Sequence, residues 1–349
     1  MYDPDRSQAV RLAGEISDWP AFAGALRARL ARHASDKGAS MRLLSGRIAS
    51  PTLLDQITKL LVAYPAMRWH VFEPTESRDS EAARAVYGRP LTLVPRLGDA
   101  NVVVAFDAAP LGPGPDQVRF SRALGERRRR DRATTRLYAA ECGMTLTGAF
   151  ADHRLTAGPD ELEAMIAALA AALGAPIAPP ALNAEGAPFV DAVTKDLQSR
   201  NQGGLVLVGP TLTRARSLGV WINDRLSAPV DAFELDPRLA AASTIAELAA
   251  DLAVGKVETL IVVDSNPVFS ALGDLDFTAL FPRADFRVHL GHYFDETAAA
   301  STWHLPAPHP LESWSDIAAT DGMVSIIQPL IAPLYASISA LGKSLTSVT

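Results

Sequence analysis

Short apolar runs rich in β-branched residues alternate along this 349-residue chain with amphipathic helical patterns. The runs lie at 41–45, 67–72, 101–106 and 135–140 in the first half, and at 204–208, 257–263 and 286–290 in the second. Parallel strands that are joined by helical crossovers give this pattern, because helices cover both faces of their sheet. The sequence therefore predicts an α/β fold.

A segment rich in proline and alanine, residues 176–188, divides the chain nearly in half. Its prolines prevent a regular helix or a central strand. A chain of this length also exceeds what one ordinary hydrophobic core accommodates. We therefore predict two domains, 1–175 and 189–349, with 176–188 as the linker.

The two halves match one another at three landmarks, each of which follows a predicted strand. The matching pairs are Gly46 and Gly209, Asp107 and Asp264, and Thr147 and Thr297. Their common order predicts two Rossmann-like parallel-sheet domains that form a pseudo-repeat. Ligands of open α/β sheets bind beyond the carboxyl ends of the strands, so the landmark turns are the candidate sites.

The candidate cofactor-binding residues are those that follow the strands of the second half. They are Gly209, Thr211, Asp264, Asn266, Pro267, Glu296, Thr297 and His304. Turn amides and polar side chains of this kind hydrogen-bond phosphates and bases, but the same residue types also form turns and cap helices. Both interpretations stay open. The sequence has no glycine-rich dinucleotide motif and no P-loop lysine.

Metal and nucleophile chemistry have little support in the sequence. Cys142 is the only cysteine, which excludes an internal disulfide and any cysteine-pair metal or cluster site, and we expect it to be an ordinary buried residue. His289 and His292 have HxxH spacing, but on a strand that spacing places the rings on opposite faces. His153 and His304 occupy matching positions, as structural histidines or as ligand contacts. We predict no catalytic residue and no metal ligand.

Charge and hydropathy argue against two further classes of protein. The formal charge of −6 argues against a general nucleic-acid binder, although residues 126–132 contain five arginines, which suit a solvated loop or a partner contact. No apolar stretch approaches the roughly 20 residues of a transmembrane helix, so we expect no direct membrane span. The sequence has no visible export signal, and the compartment stays open.

Several motifs resemble a known family. The second half contains Val-Val-Asp-Ser-Asn-Pro at 262–267, Asp-Glu-Thr-Ala-Ala at 295–299 and Trp-His-Leu-Pro at 303–306, and the first half contains Thr-Leu-Thr-Gly-Ala-Phe-Ala-Asp at 145–152. In this order they resemble the molybdopterin oxidoreductases of the dimethyl sulfoxide reductase class. With Trp-His-Val-Phe-Glu-Pro at 69–74, the resemblance is closest to the molybdopterin-like domain of the large iron-sulfur subunit of alternative complex III.

The resemblance implies the fold of the central, cofactor-cradling domains of that class. It implies molybdopterin guanine dinucleotide and iron-sulfur clusters, but on other segments, so we expect no cofactor in this chain. The implied role is a scaffold or docking module of a respiratory electron-transfer complex. The implied partners are a cysteine-rich ferredoxin-like iron-sulfur protein and other respiratory subunits, and the relatives belong to a bacterial membrane-associated complex.

Two alternatives remain beside this hypothesis. In the first, the chain is the pterin-guanine-dinucleotide-binding part of a split molybdenum oxidoreductase. In the second, it is a free-standing α/β enzyme or binding protein with a small substrate at the turns of Asp107 and Asp264. The chain resembles oxidoreductases, but the resemblance does not predict independent catalysis.

Overall fold

The computed structural model describes residues 1–74, 79–114, 116–130, 135–199 and 203–340. The chain forms two compact units: unit 1 is Met1–Thr75 with Asp236–Thr349, and unit 2 is Glu76–Leu235. Among the described residues, no helix is both long and apolar enough to cross a membrane.

The strands in chain order are β1 (Arg11–Leu12), β2 (Glu15–Ile16), β3 (Met41–Ser45), β4 (Arg68–Val71), β5 (Leu91–Pro95), β6 (Val102–Phe106), β7 (Arg136–Glu141), β8 (His153–Thr156), β9 (Gly204–Val208), β10 (Val230–Glu234), β11 (Thr259–Val263), β12 (Phe286–Gly291), β13 (Trp303–Pro306), β14 (Ser315–Ala318) and β15 (Val324–Ile327).

The α-helices are α1 (Trp19–His33), α2 (Pro51–Ala63), α3 (Asp79–Tyr87), α4 (Gln117–Arg130), α5 (Leu146–Phe150), α6 (Pro159–Ala172), α7 (Gly186–Ser199), α8 (Arg216–Arg225), α9 (Pro237–Ala240), α10 (Ile245–Ala253), α11 (Pro267–Ser270), α12 (Phe277–Leu280) and α13 (Glu296–Ala299). Short 3₁₀ turns lie at Leu97–Asp99, Gly273–Leu275, Phe281–Arg283 and Pro310–Glu312.

Unit 1 contains a seven-stranded sheet in the order β2-β1-β13-β12-β11-β3-β4. The strands from β13 to β4 are parallel, and β1 and β2 extend the edge in antiparallel fashion. Leu43 and Ile261 face the core cluster that contains residues of α1 and α2, whereas Leu44 and Val262 face the cluster that contains residues of α10 and α12. Both faces are covered, which explains why these strands read as continuous apolar runs.

Unit 2 contains a four-stranded parallel sheet in the order β8-β7-β6-β9, and β5 pairs with β10 separately. Val102, Val104 and Phe106 pack on one face with residues of α6 and α7. Val103 packs on the other face in a second core cluster. The α/β fold with parallel sheets that the sequence predicts is therefore present in each unit.

The predicted domain boundary is wrong. Residues 176–188 lie inside unit 2, where Gly186 begins α7 and α7 packs against α6. The sheets also cross the predicted division, because β3 pairs with β11 and β6 pairs with β9. A proline-rich segment marks a break in secondary structure, but strand pairing decides which segments share a core.

The two sheets nevertheless share local features. In unit 1 four of the five parallel strands have the order β13-β12-β11-β3, and in unit 2 the four parallel strands have the order β8-β7-β6-β9. Asp264 follows β11 with a φ of +51°, and Asp107 follows β6 with a φ of +46°. The fourth strand of each set comes from a distant part of the chain, so the units do not repeat as the consecutive halves 1–175 and 189–349. An origin by repetition stays a prediction.

Candidate functional site

A polar crevice of about 360 Å³ lies in unit 1 at the carboxyl ends of β3 and β11. The chain continues from β3 to β4 on one side and from β11 to β12 on the other, so the sheet order reverses here. Such a switch point is where open α/β sheets bind ligands. We call this space the switch-point crevice; its lining includes Gly46, Arg47, Glu73, Asp264, His292 and Asp316.

Asp316 of β14 occupies the N-terminus of α2. Ser50, the N-cap, donates its hydroxyl hydrogen bond to Asp316 Oδ1. Thr52 donates to Oδ2 from its amide nitrogen at 3.2 Å and from its hydroxyl at 2.6 Å. Burial opposes ionisation of Asp316, but these hydrogen bonds outweigh it and hold its pKa below the ordinary value. A carboxylate of the chain itself thus lies where a helix N-terminus would receive a phosphate.

Glu73, which follows β4, lines another part of the crevice. The amide nitrogen of Arg47 donates a hydrogen bond to Glu73 Oε1 at 2.6 Å. A Cβ atom at Gly46 would lie 2.6 Å from the same oxygen, which is too close for any side chain without a shift of Glu73. Glycine at position 46 therefore permits the carboxylate to approach the β3 turn.

The charges of the crevice do not fit a pterin guanine dinucleotide. Among the described lining residues, three carboxylates, those of Glu73, Asp264 and Asp316, face one arginine, Arg47. A diphosphate would meet net negative charge, and like charges a few ångströms apart repel strongly at low dielectric. The helix N-terminus that would attract the phosphates is the one that Asp316 already fills.

Four of the predicted site residues lie together next to Asp264: Asn266, Pro267, Glu296 and Thr297. Asn266 donates from Nδ2 to Glu296 Oε2 at 2.7 Å and accepts from the Thr297 hydroxyl at 2.7 Å. The same hydroxyl accepts from the amide of Val268 at 3.1 Å. Pro267 begins α11 and Glu296 begins α13. These polar groups satisfy one another, so the geometry favours the turn-and-cap interpretation over ligand binding.

Gly209 and Thr211 lie in unit 2, at the carboxyl end of β9. The Thr211 hydroxyl donates to Asp107 Oδ2 at 2.9 Å, and the amide of Cys142 donates to Asp107 Oδ1 at 3.1 Å. A Cβ atom at Gly209 would lie 2.0 Å from the backbone oxygen of Asp107. Unlike the prediction, Cys142 is exposed, because it follows the end of β7. Desolvation and the Asp107 carboxylate raise the pKa of its thiol.

His304 does not line the crevice but lies buried in β13. Its Nδ1 is 3.1 Å from Nδ1 of His289, and its Nε2 is 2.6 Å from the hydroxyl of Ser7. Burial lowers the pKa of His289 to about 4; burial and the neighbouring histidine lower that of His304 to about 3. His304 is thus buried and hydrogen-bonded to side chains of the chain itself. In the described part of the chain, no group of three metal-ligating side chains is placed to hold a metal.

The arginine run is partly structural. Helix α4 continues to Arg130; Arg127 donates to the backbone oxygen of Gly98 at 3.0 Å, and Arg128 pairs with Asp152 at 2.7 Å. Residues 131 and 132 of this run lie outside the described residues.

Sequence reasoning missed Glu73, His292 and Asp316 as lining residues of the crevice. Glu73 had a usable signal, since it follows an apolar strand run. Asp316 had none, because it lies in a hairpin of mixed polarity far along the chain from Ser50 and Thr52. The short β14–β15 hairpin is therefore the part of the site that only the structure reveals.

Comparison with known proteins gives a likeness of fold. No protein-family model and no curated protein sequence matches the chain. Acetylene hydratase from Pelobacter acetylenicus is similar in structure, with a TM-score of 0.69 and 11% identity over 97% of this chain and 60% of that chain. A chain of the formyltransferase/hydrolase complex FhcABCD from Methylorubrum extorquens, solved with methylofuran, has a TM-score of 0.59 and 16% identity over 97% of both chains.

This chain thus spans 60% of the length of the acetylene hydratase chain. The chain is therefore an α/β protein with a fold similar to these two structures.

Proposed function

We propose that this chain is a subunit of a multi-subunit enzyme complex that uses the molybdopterin-oxidoreductase fold as a scaffold and holds no pterin cofactor of its own. In this role the two units present surfaces to partner subunits. The chemistry takes place on other chains.

The observation that carries the proposal is the position of Asp316. A binding fold that keeps its cofactor leaves the helix N-terminus at the switch point open to phosphate. Here the side chain of Asp316 receives the hydrogen bonds of Ser50 and Thr52 instead. The mutual hydrogen bonds of Asn266, Glu296 and Thr297 support the same conclusion, because these three side chains pair with one another.

The likeness to a chain of FhcABCD supports the subunit role. That likeness extends over 97% of both chains. The name describes a formyltransferase/hydrolase complex, which suggests partner subunits for this chain as well. The respiratory setting and the ferredoxin-like iron-sulfur partner are narrower forms of the proposal, and only the sequence motifs support them.

The test is to purify the full chain from its own host and measure molybdenum, tungsten and released fluorescent pterin against protein concentration. We expect all three to fall far below stoichiometric amounts in folded protein. A stoichiometric pterin with molybdenum or tungsten would overturn the proposal and favour the split-oxidoreductase alternative.

The partners are tested on the same material. A tagged chain should elute with other subunits in a fixed ratio in size-exclusion chromatography, and mass spectrometry should identify them. An iron-sulfur protein among them would favour a role in a respiratory complex. Formyl-transfer subunits would favour a role in a formyltransferase/hydrolase complex. A chain that elutes alone from its host and turns over a small substrate would contradict the scaffold role.

A further inference from the structure

An apolar chamber of about 60 Å³ lies in unit 1 between the sheet and the helices α1 and α2. Its walls include Leu30, Met41, Leu43, Ile57 and Ile261. All five side chains are buried and belong to the same core cluster. Since interiors are normally close-packed, a space of this size has room for two or three carbon atoms.

The chamber adjoins the switch-point crevice. Six residues line both spaces: Ser45, Ile48, Leu53, Val263, Leu290 and Ala340. Four of them have aliphatic branched side chains, so the neck between the two spaces is apolar. The combined space has a polar mouth at the ends of β3 and β11 and an apolar end beneath α2.

One of the three carboxylates at the mouth, that of Asp264, accepts no hydrogen bond from the described residues. Asp316 receives hydrogen bonds from Ser50 and Thr52, and Glu73 receives one from the amide of Arg47. The carboxylate of Asp264 is exposed. Asp264 lines the crevice and follows Val263, which lines both spaces.

We propose that the chamber and the crevice together form a binding site for a small cationic amphiphile. Its compact alkyl group fills the chamber, and its ammonium group lies at the mouth beside Asp264. The excess of carboxylates over arginine in the lining selects against an anion with the same alkyl group. This site goes beyond the scaffold role, because a scaffold subunit needs no small ligand.

The probe is isobutylamine, which is protonated at pH 7 and has an isopropyl group that matches the chamber. The full-length chain, labelled with ¹³C at isoleucine and leucine methyl groups, is titrated while the methyl signals of Leu43, Ile57 and Ile261 are followed. We expect saturable shifts at these methyls. Isobutyrate, with the same alkyl group and the opposite charge, should bind at least about tenfold more weakly.

Two variants locate the site. Asp264→Asn keeps a residue type that tolerates the positive φ of this position and should weaken binding of isobutylamine about tenfold. Asp276→Asn is the matched control, because Asp276 is also exposed and has a φ of +42° but does not line the crevice; it should leave binding unchanged. Leu53→Phe should close the neck and abolish the shifts.

Several results would overturn the proposal. These are an absence of saturable shifts in the wild-type chain, equal binding of isobutyrate, or equal loss in Asp264→Asn and Asp276→Asn. If Leu53→Phe fails to fold, the aspartate pair still decides the outcome. A bound pterin would refute the scaffold role but leave this test unaffected, so the two failures are distinguishable.

Discussion

The hydroxyl of Thr52 donates a hydrogen bond to Asp316 Oδ2 at 2.6 Å, which ties the β14–β15 hairpin to the first turn of α2. The backbone adds a second tie, since the amide of Ala318 donates to the oxygen of Ala49 at 2.7 Å. The hairpin and the N-terminus of α2 therefore stabilise one another. The carboxylate interacts favourably with the positive end of the helix dipole as well as with the two hydroxyls.

The first prediction concerns this carboxylate. Asp316→Ala should lower the free energy of unfolding by about 1–2 kcal/mol, because it removes hydrogen bonds and a favourable charge at a helix N-terminus. Asp316→Asn should cost less, since an amide oxygen still accepts. Urea unfolding of both variants measures the difference, with Asp274→Ala, an exposed aspartate away from the helix, as the control. Equal stabilities for Asp316→Ala and the wild type would contradict the assignment.

The second prediction concerns a buried ion pair. Glu312 accepts from Arg6 at 3.0 Å and 2.7 Å, and the side chains are 0% and 2% exposed. The Arg6 hydrogen bonds outweigh burial and lower the pKa of Glu312 from 4.5 to about 2. Because the folded pKa is the lower one, the stabilisation is complete above about pH 4.5 and is lost as the pH falls towards 2. The shift corresponds to about 3 kcal/mol.

Glu312→Gln should therefore unfold about 2–4 kcal/mol more easily at pH 7 and show a flatter stability profile between pH 5 and pH 2. Urea midpoints across that range measure it. Glu258→Gln is the control, because Glu258 is half exposed and lies 4.0 Å from Arg29, so its loss should cost less than about 1 kcal/mol. The same profile in Glu312→Gln and the wild type would contradict this role.

The sequence predicts the individual elements of this fold well where one physical signal dominates. The strands β6 and β11 appear as nearly continuous apolar runs because both faces of their sheets are covered. The start of α2 is visible as Ser50 followed by Pro51, an N-cap and a first-turn proline.

The assembly of those elements is harder to predict. Any of the apolar strands can pair with any other, so nothing local indicates that β3 pairs with β11 and that β9 pairs with β6. The strand-end rule found Asp264 and Asn266, because a strand end is a local feature. It did not find the contact between Ser50 and Asp316, which joins residues 266 positions apart in the chain.

The third prediction concerns the buried histidines. Burial lowers the pKa of His289 to about 4 and contributes most to lowering that of His304 to about 3, so both rings are neutral at pH 7 and one Nδ1 donates to the other. The unfolded chain takes up protons at about pH 6.5, so stability is complete above that pH and falls as the pH drops towards 4. Between pH 7 and 5 the loss should be roughly 2 kcal/mol for each histidine.

His304→Gln keeps a side chain that can bond Ser7 but removes one titrating ring from the buried pair. We expect a shallower decline of the urea midpoint between pH 7 and pH 5 than in the wild type. The control is His153→Gln, which removes an exposed histidine. If His304→Gln retains the full wild-type slope, the acid sensitivity arises elsewhere.

The last prediction compares two glycines that each follow a parallel strand, Gly46 after β3 and Gly209 after β9. At Gly209 a Cβ atom would lie 2.0 Å from the backbone oxygen of Asp107, and this backbone cannot move without disturbing β6. At Gly46 the nearest atom to such a Cβ is a side-chain oxygen of Glu73, at 2.6 Å. Gly209→Ala should thus cost about 3 kcal/mol or more, and Gly46→Ala less, because a side chain can rotate away. Gly125→Ala, inside α4 with no other atom within 4 Å of the added Cβ, should stabilise the protein by about 0.5–1 kcal/mol.

Urea unfolding, together with hydrogen exchange of β6 and β9, measures the order of stability of the three variants. If Gly209→Ala is as stable as Gly46→Ala, the close backbone approach at the β9 turn is wrong.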